Sequence, residues 1–72
     1  MKITWIDAKM WGNAWLEHED IRALKPPIVR SYGEIISEDD VVIRLAQNIT
    51  NDCASNITLI PKASIIKEVN NE

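Results

Sequence analysis

One stretch, Pro26 to Ala46 (PPIVRSYGEIISEDDVVIRLA), limits the folds open to this chain more than any other. β-Branched residues fill both of its arms: Ile28, Val29, Ile35 and Ile36 in the first, Val41, Val42 and Ile43 in the second. Such residues suit a pleated, half-buried surface, so the arms are predicted to be strands. Glu38, Asp39 and Asp40 between them cannot be buried together, which places a tight acidic turn there. Gly33 interrupts the first arm, and a residue without a Cβ weakens a strand unless the strand bends or another backbone comes close. A long strand bent in this way is how a short chain curls a sheet on itself. The expectation is a mainly β fold: a strongly bent five-stranded small barrel with one short amino-terminal helix, forming a single domain over residues 1–72.

The flanks fit that plan. Lys2 to Ala8 alternates, with Ile3 and Trp5 on one side and Lys2, Thr4 and Ile6 on the other, which predicts a first strand. From Met10 to Lys25, the residues Trp11, Ala14, Trp15, His18, Ile21 and Leu24 recur at spacings of three and four, the period of one helical face. Glu17, Glu19 and Asp20 suit the first turn of a short helix, and Arg22 and Lys25 suit its end. Pro26 and Pro27 stop it. Beyond the hairpin, the second arm is expected to reach Thr50, and Asn51 to Asn56 reads as a surface loop. Ile57 to Ile60 is a further strand, Pro61 interrupts it, and Ala63 to Val69 resumes extended character.

A core built from 72 residues supplies only about 3–5 kcal/mol of net stability. Cys53 is the single cysteine and His18 the single histidine, so neither an intrachain disulfide nor a metal site is expected. Oligomerisation is the remaining device, and 46% hydrophobic residues suit a chain with apolar surface left for a sister subunit. Eight basic against eleven acidic residues give a net charge of −3, which argues against duplex DNA as a partner but leaves room for a local basic pocket. No apolar run is long enough to span a membrane, and the first residues lack a signal-type apolar core, so a cytoplasmic protein is expected. The sequons at Asn48 and Asn56 are then chance matches.

No residue pattern calls for catalysis. His18 lies among Glu17, Glu19 and Asp20, but sequence neighbours on a helix do not converge on one ion, so a solvated face is the expectation. The acidic turn lacks the spaced ligands and glycine of a calcium loop. Cys53 has no base near it in sequence, and no serine sits in a glycine-flanked nucleophile context. No enzyme activity and no cofactor are expected.

The informative residues are aromatic: three tryptophans and no phenylalanine. Trp5, in parity with Ile3, is assigned to the core. Trp11 and Trp15 flank Gly12 and Asn13, where a core or subunit contact weighs above a stacking plate for a base. Arg30, Tyr32 and Glu34 are expected to project from one side of the bent strand as a polar-aromatic face, which Arg44, on the outward parity of the next strand, could join. Lys62 stands at the tight corner, well placed for an anion. Trp11, Trp15, Arg30, Tyr32, Arg44 and Lys62 are the candidate ligand-binding residues.

Two resemblances add to this reading. Gly33-Glu34-Ile35-Ile36-Ser37-Glu38-Asp39-Asp40 with Leu45, followed by Leu59-Ile60-Pro61-Lys62-Ala63-Ser64-Ile65, resembles the two-part signature of Sm-like small barrels. In that pattern Asp39 or Asp40 stands for the aspartate of an RNA-binding loop, no asparagine follows closely, and Pro61-Lys62 replaces an Arg-Gly pair. Over nearly the whole chain, Thr4-Trp5-Ile6-Asp7, Trp15-Leu16-Glu17, Pro26-Pro27, Tyr32-Gly33, Glu38-Asp39-Asp40 and Ile60-Pro61-Lys62 resemble uncharacterised small proteins encoded by tailed bacteriophages and prophages. The second resemblance implies a counter-defence or host-takeover setting in the host cytoplasm. The expected function is a non-enzymatic, homo-oligomeric phage-type protein that binds and sequesters a nucleotide or small anionic host signal. The alternatives are an Sm-like ring that binds short single-stranded RNA and a protein–protein inhibitor of a host enzyme acting through Trp11 and Trp15.

Overall fold

The computed structural model describes residues 1–10, 12–13 and 15–70 of the chain. Strand β1 (Lys2–Ile6) forms where alternation sends Ile3 and Trp5 inward, and both are buried. The bent arm gives β2 (Ile28–Tyr32) and β3 (Glu34–Glu38), and after the acidic turn come β4 (Val42–Ile49) and β5 (Ala54–Pro61). A 3₁₀ turn, Lys62–Ser64, leads into β6 (Ile65–Val69). All pairings are antiparallel, in two sheets of three strands with orders β2-β1-β6 and β3-β4-β5.

The mainly β class and the one short helix match the expectation, but the strand count and closure do not. Six strands replace five because the bent arm changes partner at Gly33: Tyr32 pairs with Lys2 of β1, and Glu34 pairs with Ala46 of β4. No closed barrel forms. The chain switches sheets at two corners, Gly33 and the turn after Pro61, and the ladder is interrupted at both. Proline offers no N–H to a ladder, and the 3₁₀ turn that follows redirects the strand. The strand before that corner also begins earlier than expected, at Ala54 rather than Ile57.

Gly33 is the one position where the backbone demands glycine. Its φ is +154°, and a Cβ there would fall on the carbonyl oxygen of Ala46 and 2.9 Å from the carbonyl carbon. Its N–H donates to the Met1 carbonyl at 3.0 Å, which ties the bend to the start of β1.

The core lies between the two sheets. Ile3 and Trp5 come from one sheet, Ile43, Leu45 and Ile60 from the other, with Met1, Val29, Ile35 and Ile65 packed around them. The indole Nε1–H of Trp5 donates to Ser31 Oγ at 3.0 Å, so the largest core side chain has its polar atom satisfied.

Residues between β1 and β2 leave this body. The Asp7 N–H donates to the Pro27 carbonyl at 3.0 Å, which pins the base of an arm. Every described residue from Ala8 to Ile28 is exposed. Of the expected helical face from Met10 to Lys25, Trp11 and Ala14 lie outside the described residues, and among the rest α1 (His18–Arg22) is the helical part, five residues with none buried. Gly12 and Asn13 are poor helix formers, and with no core beneath them the apolar positions gain nothing from helical geometry. The distal part of the β4–β5 hairpin, from Gln47 to Ile57, is likewise exposed, and the form is elongated. The radius of gyration is 15.6 Å, against about 11 Å for a compact chain of this length.

Candidate ligand-binding face

The five candidate residues that the structure describes separate into three places. Arg44 and Lys62 belong to the acidic turn. Asp39 Oδ1 accepts from the backbone N–H groups of Val41 and Val42 at 2.8 and 2.9 Å, the local bonding that makes aspartate a turn former. Arg44 Nη2 donates to Asp39 Oδ2 at 3.1 Å and Nη1 to Ser37 Oγ at 3.2 Å. The two amide hydrogen bonds, then Arg44, hold the Asp39 carboxyl below the ordinary carboxylate value. Lys62 Nζ lies 2.8 Å from Glu38 Oε1, and its backbone N–H donates to the Val41 carbonyl at 2.8 Å. The hydrogen bond to Glu38 raises the Lys62 ammonium above its ordinary value. Arg44 thus offsets charge within the hairpin, and Lys62 clamps the turn to the corner after β5. Arg44 does not join Arg30 and Tyr32, because it sits in the other sheet, where Glu34 also pairs.

Arg30 and Tyr32 stand on the outward face of the β2-β1-β6 sheet. Residues directly opposite in an antiparallel pair share a face. The register puts Arg30 opposite Thr4 and Thr4 opposite Lys67, giving one row across three strands. A second row is Tyr32, Lys2 and Val69, and a third begins with Ile28 beside Ile6. The inward parity of the same strands holds Ile3 and Trp5, which is why this face carries the polar set. Tyr32 is 50% exposed. Among the described residues, the side chains of Lys2, Arg30 and Lys67 make no hydrogen bond or ion pair, in contrast to Arg44 and Lys62.

The sequence assigned Lys2 and Thr4 to the outward side of β1 but did not single out Lys2 or Lys67 as candidates. Their convergence depends on strand register. The signal available was parity: Lys2 and Thr4 alternate with buried Ile3 and Trp5.

Trp15 lies on the arm and is fully exposed, Met10 is 88% exposed, and Leu16, Ile21 and Leu24 are partly exposed. Trp11 lies outside the described residues. Among the described residues, the arm thus presents an aromatic and aliphatic surface that is only partly covered within the protomer.

Two shallow depressions of about 130 and 300 Å³ sit at the β4–β5 loop, and Thr50, Cys53 and Ala54 line both. None of the five described candidates lines either one. Cys53 is an exposed free thiol there. Among the described residues, no group of three or more His, Cys, Asp or Glu side chains is arranged to hold a metal ion. Among the described residues, no helix is long and apolar enough to cross a membrane.

No protein-family model matches the chain. No curated protein and no solved structure matches it either.

Proposed function

We propose that this chain is a non-enzymatic binding protein that assembles with copies of itself and sequesters a nucleotide or another small anion. The observation that carries the reading is the pairing of a half-exposed aromatic ring, Tyr32, with an unengaged guanidinium, Arg30, on one open sheet face. An aromatic face and a cation side by side are the two elements that hold a base and its phosphate. The arm supports the assembly part. Trp15 is fully exposed and Leu16, Ile21 and Leu24 partly so, in a protomer with six buried hydrophobic residues among those described, and exposed aromatic and aliphatic patches mark interfaces. In the phage setting suggested by the sequence, sequestration removes a host defence signal from the cytoplasm. The Sm-like kinship of the scaffold belongs to the same proposal, supported by the glycine bend and the acidic turn at the expected positions.

Single-stranded RNA is the second reading, favoured by the same face, since stacking with unpaired cations serves a strand as well as a mononucleotide. The net charge of −3 weighs against it. A thermal-shift panel of cyclic and linear nucleotides tests the first reading. Stabilisation by at least one member is expected, and no shift with any of them would remove it.

A further inference from the structure

The outward face of β2-β1-β6 has a charge pattern unlike the rest of the molecule. The chain carries eleven acidic residues and a net charge of −3, yet the rows Arg30–Thr4–Lys67 and Tyr32–Lys2–Val69 contain three cations and no carboxylate. Glu68 neighbours Lys67 in sequence but is paired with Ile3, on the opposite parity. Strands stand about 4.8 Å apart, so Arg30 and Lys67 are about 10 Å apart across Thr4, and Lys2 is about 7 Å along the strand from Thr4. Long side chains from those three points reach one common volume above the Thr4 hydroxyl. Three like charges held there repel one another, and a bound polyanion turns the repulsion into attraction. A single phosphate carries about two negative charges, so three cations match an oligophosphate better than a monophosphate.

The borders of the patch are apolar. Tyr32 lies on one side, and Ile6 with Ile28, both exposed, on the other. Resting on the binding reading above, we propose that this face is an oligophosphate site: Arg30 and Lys67 flank the phosphates across Thr4, Lys2 is the third cation, and Tyr32 stacks on the attached base. The ligand class is a free nucleotide with two or more phosphates.

Isothermal titration of the full-length chain with ATP, inorganic tripolyphosphate, adenosine and a short single-stranded oligouridylate tests it. ATP is expected to bind, with affinity falling as salt rises, and tripolyphosphate to bind about five- to hundred-fold more weakly for want of the stack. Adenosine alone is expected to show no measurable binding. Arg30→Ala and Lys67→Ala should each weaken ATP about ten- to hundred-fold, the loss of one charge-assisted contact. Lys25→Ala, the same charge change on the arm, should stay within about twofold. Unfolding curves of the variants should overlay the parent, because all three positions are exposed. Equal weakening by Lys25→Ala would overturn the site in favour of overall charge. Tighter binding of the oligouridylate than of ATP would overturn the ligand class. ATP binding that survives Arg30→Ala and Lys67→Ala would move the site elsewhere while leaving the binding reading intact, whereas no binding by any probe would remove both.

Discussion

Replacing Gly33 by alanine tests the bend on which both sheets depend. A Cβ at this position meets the Ala46 carbonyl group, with the carbonyl carbon at 2.9 Å, and Leu45 Cγ at 3.2 Å. The obstruction cannot give way cheaply. Ala46 is backbone in a central strand, paired to Glu34 on one side and Ile57 on the other, and it is buried. Holding a non-glycine residue at φ +154° costs about 1–3 kcal/mol. Relieving the overlap by shifting β4 costs about 1–3 kcal/mol more. The sum, about 2–6 kcal/mol, rivals the whole net stability of a domain this small, about 3–5 kcal/mol. Gly33→Ala should therefore be largely unfolded in buffer, or unfold at far lower urea than the parent. Gly12→Ala is the control, since nothing lies within 4 Å of a Cβ there. Urea unfolding followed by far-ultraviolet circular dichroism provides the measure. A Gly33→Ala midpoint matching that of Gly12→Ala would refute the bend geometry.

Three further outcomes follow from the same structure. Ser31→Ala leaves the Trp5 indole N–H without its acceptor and should lower the unfolding free energy by about 1 kcal/mol, read from urea curves. The Asp39 carboxyl is held below its ordinary value, so its stabilising contribution is complete above about pH 4 and is lost as pH falls through the lower folded value. Parent stability should thus fall more steeply below about pH 4 than that of Asp39→Asn, in unfolding measured at a series of pH values. Trp15→Ala should weaken self-association about thirtyfold, the effect of losing one interface anchor, as read by sedimentation. The same change should leave the unfolding of the dissociated protomer unaltered, because Trp15 is fully exposed within it.

Much of the fold was legible because each strand carried its own local signal. Ile3 and Trp5 alternate with polar neighbours, Glu38 to Asp40 mark the turn, Gly33 marks the bend, and Pro61 marks the second corner. The strand count and the absence of closure were not legible, since both depend on which strand each residue pairs with after a corner. The helical spacing of Trp15, His18, Ile21 and Leu24 misled for a related reason. Periodicity reports a helix when a core covers its apolar face, and here the arm has none within the protomer, so only His18–Arg22 coils. Arg44 and Lys62 were legible as isolated cations but not as partners of Asp39 and Glu38, because the Lys62 pair joins residues brought together only by the corner after β5. Lys2 and Lys67 went unnoticed for the same reason: they lie far apart in sequence and share a face only through β1–β6 pairing.

The central claim is that the protomer completes itself with sister copies and retains a small anion. Native mass spectrometry of the full chain taken directly from cells measures both properties in one spectrum. The account predicts an oligomer whose mass exceeds the sum of its chains by that of a phosphate-bearing ligand, with the excess lost on Arg30→Ala. A bare monomer at every concentration, with no retained mass, would contradict it.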